Sequence, residues 1–254
     1  MSDSNTLSEI KKITTSLLNT CEQPSDKHQQ QVRSLIYSSL LAIYCEKNTT
    51  LSLPSFFNKA SGKQRLLSKN FYKHLQALNR SFQSTLFTAH LNNKLPVKNP
   101  ILNDLLDSLN KISSNLNVET LAYSFEYLQG NGLNKKEGIF YTPKPVVEEI
   151  VDNAVRRAIS TGKFSTTNPP LILDPACGSG IFLIESLRFL SGRIFKKMDS
   201  PSARLKLALR SLFGVDKDPL TVEVARILLL LEITKGRQLD FISKKAIESL
   251  STNI

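Results

Sequence analysis

Apolar residues change their period several times along the chain. From Glu9 to Leu18 and from Gln31 to Cys45 they recur at helical spacing, the second stretch carrying Val32, Leu35, Ile36, Leu40, Leu41 and Ile43. Pro54, Gly62, Pro96 and Pro100 then punctuate the chain, and no strand-like alternation persists before about residue 118. Val118 to Gln129 predicts another helix, with Leu121, Phe125 and Leu128 on one side and Gly130-Asn131-Gly132 as its end. A strongly periodic helix comes next. Val146, Val147, Ile150, Val151, Ala154, Val155, Ala158 and Ile159 form its stripe, with Thr142 as N-cap and Pro143 at the first helical position. After a polar linker from Ser160 to Asn168, Leu171-Ile172-Leu173 is an unbroken apolar run, as in a strand buried on both faces of a parallel sheet. Helical pattern returns from Ile181 to Leu190. Ser211 to Val215 is a second short apolar run, and from Leu220 a helix carries Val222, Val224, Ala225, Ile227, Leu228 and Leu231. Between them, Gly192 to Arg210 is rich in Arg and Lys and suits one more helix, while Phe182 and Leu228 to Leu231 read as core.

The junction at Asp174-Pro175-Ala176-Cys177-Gly178-Ser179-Gly180 changes this from a list of elements into a candidate site. Strand, glycine turn and helix in that order make the first half of a βαβ nucleotide-binding unit. Gly178 and Gly180 lack a Cβ, so the backbone can take positive φ and lie against a ligand. A phosphate-bearing dinucleotide needs a free helix N-terminus. An acid at the strand's carboxyl end instead favours an ammonium, such as that of S-adenosylmethionine. Paired glycines also end strands for purely structural reasons, so the turn needs support from elsewhere. Asp216, at the end of the second apolar run, stands where nucleotide folds bind a ribose diol. It lies beyond Asp174 by more than the ~20 residues typical of a compact unit, the excess being Gly192 to Arg210. An acidic loop before a proline-started helix is the plainer reading. The start of the Val146 stripe is likewise explained by capping alone, or by a helix dipole that meets a carboxylate.

Composition narrows the setting. The chain has 254 residues, 41% hydrophobic and 22% charged, as expected of globular protein with one large domain or two small ones. Met1 to Glu9 is polar, and no charge-free apolar run approaches the ~18 residues of a membrane span, so a cytoplasmic protein without a membrane partner is expected. Cys21, Cys45 and Cys177 have neither metal-ligand nor disulfide-framework spacing, and no metal site is expected. Net charge is +11, from 33 basic and 22 acidic residues, which suits a polyanion, nucleic acid first, as well as mere solubility. Its distribution is uneven: no acid occurs from Lys47 to Asn103, where Lys59, Lys63, Arg65, Lys69, Lys73, Arg80, Lys94 and Lys98 are interleaved with Phe56, Phe57, Phe71, Tyr72, Phe82 and Phe87. Such a stretch is a DNA-facing surface, or a helical face with core aromatics and solvated lysines. His28, His74 and His90 form no ligand pattern and are expected at the surface.

These pieces together resemble the amino-terminal part of the adenine-N6 DNA methyltransferases, most closely the gamma-order enzymes of type I and fused type II restriction–modification systems. The likeness runs from about Leu121 to the end. Gly138-Ile139-Phe140-Tyr141-Thr142-Pro143 looks like that family's first motif, and Asp174 to Gly180 like its cofactor loop. Gly214-Val215-Asp216-Lys217-Asp218-Pro219 looks like the next motif. The resemblance implies S-adenosylmethionine as cofactor and DNA as partner. By the same resemblance Tyr141, Thr142 and Pro143 form the methionine end, with Thr142 on the carboxylate, and Asp174 faces the amino group. Ala176, Cys177, Gly178 and Gly180 wrap the methionine and ribose, Asp216 takes the ribose hydroxyls, and Lys217 lies beside the adenine.

The departure from the family pattern concerns catalysis. The family holds its target adenine with an Asn/Asp-Pro-Pro-Tyr/Phe motif after the fourth strand, where the aromatic stacks on the flipped base. Here the Asn-Pro-Pro at Asn168-Pro169-Pro170 precedes the first strand, is followed by Leu171, and reads as linker. No catalytic residue is therefore assigned. Glu248 to Ile254 looks like the opening of a third strand, so the chain is expected to be a truncated or split product. The expected fold class is α/β: an incomplete Rossmann-like methyltransferase domain over residues 119–254, preceded by an all-helical, basic domain over 1–118. Such a chain would be inactive alone, and either poorly soluble or dependent on a complementary chain carrying the catalytic loop and target-recognition domain. Two other classes stay open: an S-adenosylmethionine enzyme acting on RNA or on a protein glutamine, and a non-catalytic module that binds DNA or a subunit.

Overall fold

A computed structural model describes residues 3–19, 25–49, 51, 53, 57–58, 65–66, 68–87, 97–130, 142–196, 198–235 and 244–254. The chain divides into two compact units, Met1–Ile139 and Phe140–Ile254. This division falls after the 118/119 boundary expected from the sequence, so that the helix starting at Val118 belongs to the first unit.

The first unit is built around α2 (Asp26–Asn48), which starts on a Ser25 cap whose hydroxyl accepts from His28 N–H. Every residue from Leu35 to Cys45 is buried, so α2 is a core helix and not a one-sided amphipathic one. It packs against α1 (Asp3–Asn19), α3 (Ser68–Phe82), α4 (Asn99–Ile112) and α5 (Val118–Gly130), the last capped by Asn117, which accepts from Thr120 N–H at 2.7 Å. Tyr37 of α2 meets Phe125 of α5 with ring centroids 5.0 Å apart. The unit is not wholly helical: β1 (Phe57–Asn58) and β2 (Arg65–Leu66) pair antiparallel. Two-residue strands are too short to leave a period-2 signature. Phe71, Phe82 and Phe87 are core, while Lys73 and Arg80 face solvent on α3. His74 is buried, contrary to the surface position expected of it, because it shares the apolar side of α3 with Phe71, Leu75 and Leu78. His90, Phe56, Pro54 and Pro96 lie outside the described residues.

The second unit begins with α6 (Lys144–Thr161). Its N-cap is Pro143 and not Thr142: with prolines at both 143 and 145, the second occupies the first turn and the helix starts later than expected. Only Val147, Val151 and Val155 of the predicted stripe are buried, whereas Val146, Ile150 and Ala154 are exposed, because α7 covers one side of the stripe alone. Strands β3 (Ile172–Asp174) and β4 (Leu212–Gly214) pair in parallel, with Ile172 opposite Leu212 and Asp174 opposite Gly214. Between them run α7 (Ile181–Phe189), a π-helical turn (Leu190–Ile194) and α8 (Pro201–Ser211). After β4 come α9 (Pro219–Thr234) and α10 (Lys244–Leu250).

α7 packs on both strands, α8 against β4, and α9 against α7 and α8. The sheet is therefore covered on one face. Successive side chains alternate between faces, so Leu171, Leu173 and Val215 stand in solvent, Leu171 at 75% and Leu173 at 62% exposure. This corrects the expectation of a strand buried on both sides. The expected third strand is replaced by the end of α10 and a turn over 251–253, although Gly214 N–H still donates to Asn253 O at 2.9 Å along the edge of β4. A buried guanidinium ties the helical layer together. Arg204 of α8 donates to Ile233 O (3.1 Å), Glu232 O (2.9 Å), Glu232 Oε1 (2.8 Å) and Ser191 Oγ (3.0 Å), and Arg188 adds a second bond to Glu232 (2.7 Å).

Candidate functional site

Both strands run out at the same edge, so the turns after them meet. Val215 N–H donates to Asp174 O at 2.9 Å, and Cys177 N–H returns a bond to Val215 O at 2.9 Å. Asp216, the next residue, accepts Gly178 N–H on Oδ2 at 3.1 Å and Asp218 N–H on Oδ1 at 3.0 Å. Asp218 caps α9, accepting from Leu220 and Thr221. Asp174, Cys177, Gly178 and Asp216, distant in sequence, thus form one constellation at the carboxyl end of the sheet.

Glycine is required at three points of the site, for two different reasons. Gly178 and Gly180 have φ of +53° and +84°, a region that other residues rarely enter. At Gly180 a Cβ would also lie 3.1 Å from Ala225 Cβ, so α9 closes against the turn. Gly214 has ordinary backbone geometry but no room: a Cβ there would sit 2.8 Å from Leu183 Cδ1 and 3.2 Å from Cys177 Sγ. Its steric role is legible in the sequence only as a glycine just before the acid.

The electrostatics centre on Asp174. Its Oδ1 accepts Ala176 N–H at 3.1 Å, but its Oδ2 is out of contact with solvent and has no hydrogen-bond partner among the described residues. Burial raises its pKa above the usual carboxylate range; the Ala176 N–H opposes that rise and the Asp216 charge adds to it. A buried acceptor without a partner is costly, and an ammonium donor would satisfy it and neutralise its charge. Asp216 is half-buried, and Ala176 and Lys217 are exposed beside the two acids. The Cys177 thiol is pushed up to about 12, by burial first and then by the charges of Asp174 and Asp216. It stays protonated at neutral pH, which makes it a packing residue and not a nucleophile. Among the described residues no group of three or more His, Cys, Asp or Glu could hold a metal, and no helix is long and apolar enough to cross a membrane.

The upstream residues are less tied in. Thr142 is half-buried and Pro143 exposed, and among the described residues no hydrogen bond joins either to the glycine loop. Tyr141 lies outside the described residues. The structure therefore unites the Asp174 to Gly180 turn with Asp216 and leaves Tyr141, Thr142 and Pro143 unassigned.

Comparison with known proteins finds the same segment. A family model, N-6 DNA Methylase, matches residues 119–251, just over half of the chain. A protein of Methanocaldococcus jannaschii named as a type II restriction enzyme and methyltransferase is 31% identical over 186 residues, covering 55% of this chain and 16% of that protein. The large-subunit ribosomal RNA methyltransferase K/L of Acinetobacter baumannii is 37% identical over 67 residues, 26% of this chain and 9% of the relative. The corresponding Acinetobacter baylyi enzyme is 39% identical over the same length. The chain thus spans less than a fifth of these relatives' length.

Proposed function

Because the chain belongs to the N-6 DNA methylase family, we propose that it carries the S-adenosylmethionine-binding part of an adenine-N6 DNA methyltransferase of a restriction–modification system. One observation carries the cofactor reading: the buried Asp174 Oδ2, without a partner among the described residues, beside a positive-φ glycine turn. The cofactor supplies an electrophilic methyl on a sulfonium. This chain's residues would hold it, Asp174 through its ammonium, Ala176 to Gly180 through backbone approach, and Asp216 through the ribose diol. Lys217 would lie near the adenine, and Tyr141, Thr142 and Pro143 would close the methionine end. Residues 119–254 form the cofactor domain in this reading. Residues 1–118 supply a basic surface for DNA, to which the exposed Lys73 and Arg80 contribute.

These 254 residues hold no Asn-Pro-Pro followed by an aromatic, so methyl transfer needs residues beyond them, in the same polypeptide or on a complementary chain. The open sheet face at Leu171, Leu173 and Val215 supports this, since it is apolar and uncovered. The chain as given is expected to bind cofactor without methylating DNA. Calorimetric titration with S-adenosylmethionine tests the reading, with Asp174→Ala and Asp216→Ala as controls. Binding lost in both controls supports it, and a folded chain that binds nothing refutes it. The Acinetobacter relatives favour a second reading, an RNA methyltransferase that shares the cofactor loop. A methyl-transfer assay on a completed enzyme, with DNA and RNA in competition, separates the two.

A further inference from the structure

We infer that Asp216 is a positioning residue for the glycine loop, fixing the shape of Gly178 before any ligand arrives and coupling that shape to recognition of a vicinal diol. The coupling to a diol rests on the proposed cofactor; the positioning does not. Beyond the Val215 N–H to Asp174 O bond at the strand ends, two bonds join the loops among the described residues. Cys177 N–H to Val215 O is main chain to main chain at 2.9 Å and survives any side-chain change. Gly178 N–H to Asp216 Oδ2, at 3.1 Å, depends on one carboxylate. It falls on a residue at φ +53°, one of the two turn positions where the backbone is least restrained by ordinary preference. The other oxygen of Asp216 takes Asp218 N–H at 3.0 Å, so the carboxylate is oriented by its own loop and offers Oδ2 across the gap.

A carboxylate presents about four acceptor positions, and the described bonds use two of them. A vicinal diol brings two hydroxyl donors and needs the remaining two. Diol binding is therefore compatible with the Gly178 bond. The loop is shaped first and the ligand added second, which removes ordering cost from the binding step. An acid placed only to accept hydroxyls would have no need to reach across the turn.

The test uses the full chain without ligand, reading Gly178 amide hydrogen exchange by NMR. Asp216→Ala is expected to speed that exchange about tenfold, the scale of one lost hydrogen bond, with the amides of α8 and α9 held within about twofold. Asp174→Ala should leave Gly178 unchanged, and Asp216→Asn, whose side-chain carbonyl still accepts, should restore most of the protection. Equal exchange in the wild-type chain and Asp216→Ala overturns the proposal. Should the alanine variant lose its fold, the Gly178 amide shift decides. That shift is expected to differ between the wild-type chain and Asp216→Asn, which replaces an ionic acceptor by a neutral one; a shift indifferent to Asp216 overturns the proposal.

A second arm separates positioning from diol contact, using S-adenosylhomocysteine and its analogue lacking both ribose hydroxyls. Asp216→Ala should weaken both ligands, by about five- to tenfold for the analogue, while Asp216→Asn should weaken only the diol-bearing one. Weakening confined to the diol-bearing ligand in Asp216→Ala sinks the positioning role. If no chain binds either ligand but Gly178 exchange still tracks Asp216, the cofactor reading fails and the positioning role stands.

Discussion

The two units use apolar residues in opposite ways. In the first, eleven consecutive residues of α2, Leu35 to Cys45, are buried, and among its described residues no large hydrophobic side chain is exposed. In the second, Val146, Ile150, Leu171, Leu173 and Val215 are all exposed. Both have helices with buried apolar residues, so the difference lies in what the exposed apolar surface is for. α2 is surrounded and serves stability. The β3–β4 pair is covered on one face, and its main contribution is to bring two loops to one edge. Its firmness comes from the helical side, where α7, α8 and α9 close around the Arg204–Glu232 cluster.

That division can be broken where it is strongest. Arg204→Ala is expected to cost the second unit about 3–5 kcal/mol, because it leaves Glu232 to Arg188 alone and takes the buried side-chain donor from the Ile233 and Glu232 carbonyls. Denaturant unfolding followed by circular dichroism measures it, and a cost under ~1 kcal/mol would show that the cluster is solvated and replaceable. A matched pair of leucines sharpens the comparison. Leu40→Ala, in the fully buried stretch of α2, should cost about 2–5 kcal/mol. Leu173→Ala, at 62% exposure, should stay within about 0.5 kcal/mol. Equal costs would mean that the open sheet face is covered in solution.

Between these extremes lies Gly214, where the sheet touches the site. Gly214→Ala should cost about 1–3 kcal/mol through overpacking, since the new Cβ meets Leu183 and Cys177 with little room to yield. The same substitution should weaken S-adenosylmethionine binding by moving Cys177 and the turn behind it. A neutral outcome in thermal melts would show that the loop can back away from β4.

The sequence and the structure part company in a consistent pattern. The Asp174 to Gly180 turn was legible because its residues are fixed by local sterics: two positive-φ glycines and an acid at a strand end need no knowledge of distant elements. Asp216 was legible as a second acid at a second strand end, but its bond to Gly178 was not, because thirty-eight residues separate them. Burial was the least legible property. Leu171-Ile172-Leu173 is apolar throughout and could be covered on both faces; whether it is depends on elements elsewhere. The late start of α6 turned on a choice between two prolines. The strand that the family likeness implied over Glu248 to Ile254 gives way to the end of a helix at Leu250 and a turn over 251–253.

A small expected effect is also the most diagnostic, because its sign differs between stability and binding. Burial holds the Asp174 pKa above its ordinary value in the folded, ligand-free chain. A carboxyl whose pKa is raised on folding binds its proton more readily in the native state. Its favourable contribution is complete below the unfolded value of about 3.9 and is lost as pH rises through the folded one. At neutral pH Asp174→Asn should therefore stabilise the ligand-free chain, by less than ~1 kcal/mol once the group's partial exposure is allowed for. The Ala176 N–H keeps an acceptor in the amide oxygen, and the difference should vanish in acid. Cofactor binding runs the other way. An ammonium needs the ionised carboxylate, so wild-type affinity should fall as pH drops through the raised pKa, and Asp174→Asn should bind poorly throughout. Thermal melts and titrations of the two chains across pH check both signs. If Asp174→Asn is less stable at neutral pH, Oδ2 already has a partner, and the second unit has no unmet charge for a ligand to satisfy. If it is more stable and blind to the ligand, the cost the first unit avoids by full burial is the one the second unit carries in order to bind.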